Sequence, residues 1–426
     1  MTRTRLIALS SAAFLLTAAN AQQNQVLEAD DVVNIAVTRN REFLALNERI
    51  RETEALLRKA GIRPFPTIET EFATGRPLGT VGEEEYSAGY FQPIETGGKR
   101  QKRTSVASFG VELSRAELLE RRRQLTFDVK SRYAEAVAAS RKLDAVRALL
   151  QIDRENYELT SARVRAGDAA PLEAALFLAE ASKKQAQELT YKGRLASALS
   201  ELRRTVGLPS PEKFDIRLEF SPIQSLSALE DLRRKAGDRP DLRALRVTER
   251  QIEAEVELAR AGGKPDLTAS ARYSHRNSQF NAFGLSASGL PVPLRDRNNI
   301  LTFGLSIPFF TGNRNRGDME AAEARAAGAR QRREFLEGVI PQEVENAYRR
   351  LETTRQAVQL LTGVIDQSEA NLKIIREAYA LGQLRALDVL NERRRLVDTR
   401  LSYIDAQLEA EVAQSELERA TGGPIR

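Results

Sequence analysis

Few residues in this chain have the type and spacing that chemistry needs. Gly97-Gly98-Lys99 suggests a phosphate loop, but Pro93 stands where that loop needs an earlier glycine and Arg100 where it needs Ser or Thr. Two glycines suit a sharp strand-to-helix turn better. Gly312 occupies the matching place later in the chain, and Pro93 and Pro308 precede the two turns, where a strand loses its ladder. The single histidine, His275, lies between Ser274 and Arg276 and is expected at a surface or in a lumen rather than in a ligand set. The absence of Cys removes disulfides, zinc-thiolate sites and thiol nucleophiles together. Glu83-Glu84-Glu85 is expected as a solvated loop tip. No Ser/His/Asp set or carboxylate pair recurs in a cleft-like setting. The expectation is a protein that is not an enzyme and uses no cofactor and no metal ligands.

The elements that position these residues begin after a leader. Arg3 and Arg5, an apolar run from Leu6 to Ala18, and Ala19-Asn20-Ala21 have the form of a signal peptide over residues 1–21. The run is about 13 residues, short of the roughly 20 that a spanning helix needs. Without the leader's two arginines the net charge falls from +6 to +4. Charges of both signs are interspersed, as on solvated helix faces, and no basic block with interleaved aromatics suggests nucleic acid. An exported chain with no long apolar helix can still enter a membrane as a β-barrel.

Self-similarity organises the rest. A shift of 215 positions lays Pro93 on Pro308, Gly97 on Gly312, Tyr133 on Tyr348, Gly167 on Gly382, Leu172 on Leu387 and Gly207 on Gly422. The apolar series Leu125, Val129, Tyr133, Ala136, Leu143, Val146, Leu150, Tyr157 becomes Ile340, Val344, Tyr348, Leu351, Val358, Leu361, Ile365, Leu372 without a gap. Steps of three, four and seven are those of a coiled-coil seam. Two structural repeats are expected. The first covers 22–215, with an opening helix from Asp30 to Ala60, strands at about 66–75 and 85–95, a long helix at 99–165 and a helix at 171–206. The second covers 216–426, with strands at about 265–275 and 299–310, a long helix at 314–381 and a helix at 387–421. Pro341 should kink the second long helix or start a new segment after Gly338. A helix of 67 residues is about 100 Å long, suited to a tube wall in which each long helix packs on two shorter ones.

Between helices the period becomes two. Leu301, Phe303, Leu305 and Ile307 alternate with Thr302, Gly304, Ser306 and Pro308, and Leu267, Ala269, Ala271 and Tyr273 alternate with Thr268, Ser270, Arg272 and Ser274. In the first repeat Ile68, Phe72, Tyr86, Ala88, Tyr90 and Ile94 mark one face. The alternation fits a lipid-facing strand with one wet face and equally a sheet packed on a soluble core. The leader and the tube-length helices favour lipid. Four strands cannot close a barrel, and an open edge is not tolerated in lipid, so closure would come from three chains and twelve strands.

Three stretches, Gln92-Pro93-Ile94-Glu95-Thr96-Gly97-Gly98-Lys99-Arg100, Arg165-Ala166-Gly167 and Gly382-Gln383-Leu384-Arg385-Ala386-Leu387-Asp388-Val389-Leu390-Asn391, carry a resemblance to the TolC family of outer-membrane efflux proteins, and the likeness extends over essentially the whole mature chain. The first stretch is more similar to the heavy-metal (cobalt-zinc-cadmium type) branch than to the multidrug branch. The resemblance implies a mostly α fold: a homotrimeric, 12-stranded transmembrane β-barrel in outer-membrane lipid, continued by a long periplasmic α-helical barrel. The partners implied are a periplasmic adaptor protein and an inner-membrane pump of RND type. It also implies an entrance narrowed by acids near the second helical turn. Asp388 aligns with one such acid, and Asn391 replaces a second. Glu173 is the equivalent acid of the first repeat. A ring of three carboxylates would attract cations, whereas an acid in a helix's first turn ordinarily complements the dipole. Arg385 is a candidate partner for an acid on a neighbouring helix. Arg165, Gly167, Leu172, Gly382 and Leu387 form the candidate docking tip. The function expected is a passive efflux duct. An exit duct of a type I protein-secretion system shares the architecture, and a soluble periplasmic coiled-coil scaffold explains the helices without the strands.

Overall fold

A computed structural model of the chain describes residues 26–80, 82–209, 215–220, 226–309 and 315–425. The leader expected at 1–21 and the turn residue Gly312 lie outside the described residues. The element order is α1 (Ala29–Arg39), α2 (Arg41–Ala60), β1 (Thr67–Thr74), β2 (Glu84–Ile94), α3 (Lys99–Ala166), α4 (Pro171–Val206), α5 (Leu229–Ala236), α6 (Pro240–Gly262), β3 (Leu267–Leu285), β4 (Pro291–Ser306), α7 (Arg316–Ala380) and α8 (Ala386–Thr421). The fold is mostly helical with one small sheet.

Two compact units share these elements. The first holds the segment ending at Leu44, Arg121–Ala236 and the chain from Gln342 onward. Its α3 seam is dry: Leu125, Val129, Tyr133, Ala136, Leu143, Val146 and Leu150 are each at most 6% exposed. Each buried Leu and Val among them contributes about 1.5–3 kcal/mol by leaving water, which explains why a helix so rich in Arg and Glu on its other faces holds one orientation. Leu202 and Val206 of α4 and Leu417 of α8 are also fully buried. On α7 Val344, Leu351 and Val358 are buried, while Leu361, Ile365 and Leu372 are half-buried. The second unit, Ala45–Glu120 with Gly237–Pro341, holds the sheet, α6 and the adjoining parts of α2, α3 and α7.

The sheet has strand order β1-β2-β3-β4 and is antiparallel throughout. The two hairpins are joined by β2 and β3, from Glu84↔Asn277 to Ile94↔Leu267. Its register places Ile68, Tyr90, Ala271 and Phe303 in one cross-strand row and Thr70, Ala88, Tyr273 and Leu301 in the next. The opposite face carries Glu69, Glu71, Ser87, Arg272 and Arg276, tied together by Arg272–Glu71 and Arg276–Glu85 ion pairs at 2.5 and 2.8 Å. One face is apolar and exposed, with Phe303 at 76% and Ile68 at 76%. The other is charged and internally paired.

Five features differ from the sequence-based expectation. The opening helix is two helices, broken at Asn40, whose Oδ1 accepts the Phe43 N–H at 3.0 Å and whose Nδ2 donates to the Thr205 carbonyl at 2.9 Å. That side chain caps α2 and breaks the run that periodicity alone joins. β3 continues ten residues past 275 and β4 begins at Pro291 rather than 299, because Pro291 and Pro293 read as loop and a register shift between Gln279 and Phe283 interrupts the alternation. β4 is an edge strand, where a proline's missing donor can face away from the ladder. It ends at Ser306, before Pro308. α7 passes through Pro341 as one continuous helix rather than restarting after Gly338.

Asn40→Ala removes a cap and leaves the Thr205 carbonyl unanswered, so it should lower stability by about 1–3 kcal/mol. Thermal unfolding of the detergent-solubilised protein measures this, and an unchanged midpoint contradicts the capping role.

Candidate functional site

Both helical turns in the first unit are built on glycine. After α3, Gly167 has φ 84°, and Asp168 N–H reaches back to the Arg163 carbonyl at 2.9 Å. After α7, Gly382 has φ 72°, and Gln383 N–H reaches the Ala378 carbonyl at 2.9 Å. These left-handed positions close the last helical turn with almost no steric cost only because a Cβ is missing. The turns present Arg165, Gly167, Gly382, Leu172, Leu381 and Leu387 to solvent, the three leucines being 53–74% exposed.

The candidate acids differ in what they touch. Asp388 is exposed, and its Oδ2 accepts the Arg385 backbone N–H at 3.0 Å, so it caps the first turn of α8. Arg385 has no ion pair among the described residues; its backbone N–H is what engages Asp388. Asn391 is exposed one turn later. Glu173 is half-buried and accepts the Tyr379 hydroxyl at 3.1 Å, joining α4 to the end of α7. The Arg163 guanidinium lies 5.6 Å from the Tyr379 ring centroid. Burial pushes the Tyr379 hydroxyl above its ordinary value, opposed by a hydrogen bond with Thr160 and reinforced by Glu173. Beneath them Phe177, Ala386 and Leu390 form a small core with Tyr157, Leu176 and Tyr379.

One turn deeper lies a charged group that the sequence reading overlooked. Asp153 of α3 and Arg393 of α8 are each 5% exposed in their side chains and meet at 2.7 Å. Lys184 of α4 is also buried, and Glu180, Leu149, Leu390 and Val397 complete the enclosure. The contact is close but poorly directed: neither terminal nitrogen of Arg393 has a hydrogen-bond partner, nor has Glu392 Oε1. Burial pushes the Asp153 carboxyl up against the pull of Arg393 and Lys184, and it pushes Lys184 and Arg393 down. The signal was present in the spacing. Asp153 falls between Leu150 and Tyr157 in the apolar seam, Lys184 follows Phe177 and Ala181, and Arg393 sits between Leu390 and Val397. Charges at seam positions of three helices must answer one another.

The glycine-lysine stretch is a structural corner in the second unit. Gly97 and Gly98 have φ 67° and 71°, and a Cβ on Gly97 would come within 2.8 Å of the Lys264 side chain. Thr96 N–H donates to Asp266 at 2.9 Å and its hydroxyl to the Pro265 carbonyl at 2.5 Å. Lys99 lies 2.9 Å from Asp266 and donates to the Lys264 carbonyl at 2.7 Å. Arg103 grips Glu95 at 2.6 Å and the carbonyls of Ala60 and Ile62. Thr96, Lys99 and Arg103 are thus engaged by carboxylates and carbonyls of the protein itself, which makes this corner a structural tie. Pro93 pairs with Thr268 only, because the β1 ladder ends at Phe91, and Pro308 follows the end of β4. Burial pushes the Asp266 carboxyl up, but the Thr96 N–H and the Lys99 ammonium outweigh it and hold the group below its ordinary value. Among the described residues no cluster of His, Cys, Asp and Glu is placed to hold a metal ion. His275 lies on the apolar face with its Nδ1 2.7 Å from Asn299 Oδ1.

Comparison with known proteins agrees with this geometry. The family model described as outer membrane efflux protein matches residues 32–208 and 233–423. The chain is 23% identical over 399 residues to the cobalt-zinc-cadmium resistance protein CzcC of Cupriavidus metallidurans, covering 93% of this chain and 90% of that protein. It is 26% identical over 311 residues to outer membrane protein OprJ of Pseudomonas aeruginosa, covering 70% and 61%. Its fold matches that of the outer-membrane channel OprN with a TM-score of 0.74 at 18% identity, covering 93% and 90% of the two chains.

Asp153→Ala strands a buried guanidinium and should cost about 3–5 kcal/mol, whereas Asp153→Leu with Arg393→Met should cost far less or nothing. Equal losses in both variants by thermal unfolding would contradict a coupled pair. The depressed Asp266 carboxyl contributes stability that is present above its ordinary value, about pH 4, and is lost as pH falls through its folded-state value. Asp266→Asn should therefore flatten the acid limb of the stability profile below about pH 4. Superimposable acid limbs would contradict this.

Proposed function

This chain belongs to the outer membrane efflux protein family, and from that premise we propose that three copies close one continuous exit duct. In it the four-stranded sheets join into a 12-stranded barrel, and the helices of the two matching halves continue the wall through the periplasm. The protein is an outer-membrane efflux channel. Its transport is passive and is driven by an inner-membrane pump reached through a periplasmic adaptor. The observation that carries this proposal is the sheet: one exposed apolar face, one charged face, and unpaired outer edges on β1 and β4. In lipid each unpaired backbone group costs several kcal/mol, so the edges of one chain need those of another.

The exposed leucines at the two turns, Leu172, Leu381 and Leu387, supply the docking tip for the adaptor, with Arg165, Gly167 and Gly382 shaping it. Asp388, exposed and tied only to its own helix start, is free to line the entrance, where three copies would form an anionic ring that favours cations. Glu173 differs, because its carboxylate is already engaged by Tyr379; it ties the turn rather than lining the path. Arg385 supplies the backbone group that holds Asp388, and Asn391 adds a neutral polar position. Metal cations are the substrate class this entrance suits, and the relative CzcC is by its name a cobalt-zinc-cadmium resistance protein.

Two measurements test this. Mature protein should fractionate with the outer membrane and need detergent for release; recovery in the soluble periplasm would end the duct proposal. In planar bilayers Asp388→Ala should lower cation preference relative to wild type, and Glu173→Gln should change it less. Identical reversal potentials for wild type and Asp388→Ala would remove Asp388 from the entrance.

A further inference from the structure

The sheet carries arginines on both faces, and only one set is answered. On the charged face Arg272 lies 2.5 Å from Glu71 and 3.5 Å from Glu69, and Arg276 lies 2.8 Å from Glu85. Register places Arg297 opposite Asn277 and Arg295 opposite Gln279. Counting back by twos from Leu305, Phe303 and Leu301, both arginines fall on the apolar face. Both are exposed, and neither has an ion-pair partner among the described residues. The carboxylate in the same cross-strand row as Arg297, Glu84, is held by Arg76 at 2.6 Å.

Their height on the barrel follows from topology. α2, α3, α6 and α7 all join the strands at one end, so the hairpin turns between β1 and β2 and between β3 and β4 lie at the other, outer end. From Leu305 to Arg295 is ten residues of one strand, about 33 Å along it and about 25 Å of height at the usual tilt, which is the height of a barrel's apolar band. The row just inside Arg297 is aromatic: Phe72 and Tyr86 stack at 4.8 Å between centroids, and Tyr273 Oη and His275 Nδ1 both reach Asn299, at 2.8 and 2.7 Å. Such girdles mark the membrane–water interface. The two guanidiniums therefore stand at headgroup level, with their stems lying over apolar surface.

A headgroup that answers two unpaired guanidiniums is anionic, and phosphate matches the planar fork with two parallel bonds. Clusters of basic residues beside a membrane recognise such groups. We propose that Arg295 and Arg297 form a lipid-anchoring site on the outer surface of the barrel, binding the phosphates of a phosphorylated lipid in the outer leaflet. This site rests on the three-chain barrel proposed above.

The test uses the full-length protein in bilayer nanodiscs with two labelled lipids, bis-phosphorylated lipid A and its enzymatically dephosphorylated form. Wild type should retain the phosphorylated form at least about tenfold better, as expected for two charge-assisted contacts. Arg295→Gln/Arg297→Gln should abolish that preference while keeping single-channel conductance, Arg295→Lys/Arg297→Lys should restore part of it, and Arg272→Gln on the opposite face should leave it unchanged. If wild type inserts and conducts but holds both lipids equally, the lipid site is wrong and the barrel stands. If the double Gln variant loses trimers without any change in lipid preference, the arginines serve a neighbouring chain and the site is overturned. If free phosphate at equal concentration displaces the lipid completely, the ligand is a free anion and the lipid assignment fails. If wild type forms no conducting particle, the barrel fails and the site with it.

Discussion

Unsatisfied backbone hydrogen-bonding groups along the outer edges of β1 and β4 govern this molecule. A four-stranded antiparallel sheet with a largely exposed apolar face is not an endpoint for an isolated chain. In water the face is wet, and in lipid the edges are orphaned. Both problems vanish together if the sheet is an arc of a larger closed wall, with the apolar face on lipid and the Glu–Arg face on the aqueous lumen. In such a wall the paired charges would keep the lumen wet without leaving strong isolated charges to trap a passing ion.

The helices obey a second constraint. A helix of 68 residues has no core deep enough to bury it all round, so one stripe is dry and the rest meets solvent or neighbours. The stripe is apolar over most of α3. Near the turns it admits Asp153, which meets Arg393 at 2.7 Å with both side chains almost fully buried. Buried ion pairs add little net stability, but each half becomes costly without the other. Lying deeper than the Tyr379–Glu173 contact, the pair holds α3 and α8 in one register near the helical turns. It supplies specificity of packing rather than strength.

What could be read from the chain alone follows from which signals are local. Alternation in Leu301, Phe303 and Leu305 and in Ala269, Ala271 and Tyr273 placed the strands and their faces, because period two maps directly onto the two sides of a pleat. Gly167 and Gly382 marked the turns, because only glycine takes that backbone cheaply. Asn40 was missed, since its capping depends on the Thr205 carbonyl 165 residues away. The outer halves of β3 and β4 were missed because Pro291 and Pro293 spell loop where an edge strand tolerates them. Tyr379 was passed over, although it is the residue that answers Glu173. Asp153 and Arg393 were legible as charges in a seam, but their pairing required three helices to be seen together. The trimer, the twofold repeat and the entrance ring remain proposals built on these parts.

Edge pairing between chains offers the most direct measurement of closure. The chain has no cysteine, so a series of paired cysteines, one on β1 and one on β4, reports only on those two edges. Oxidised membranes run on a non-reducing gel should show β1–β4 disulfides forming between chains, in a ladder that stops at three. Disulfides confined within single chains, a ladder that stops at two, or a ladder without end would contradict closure by three sheets.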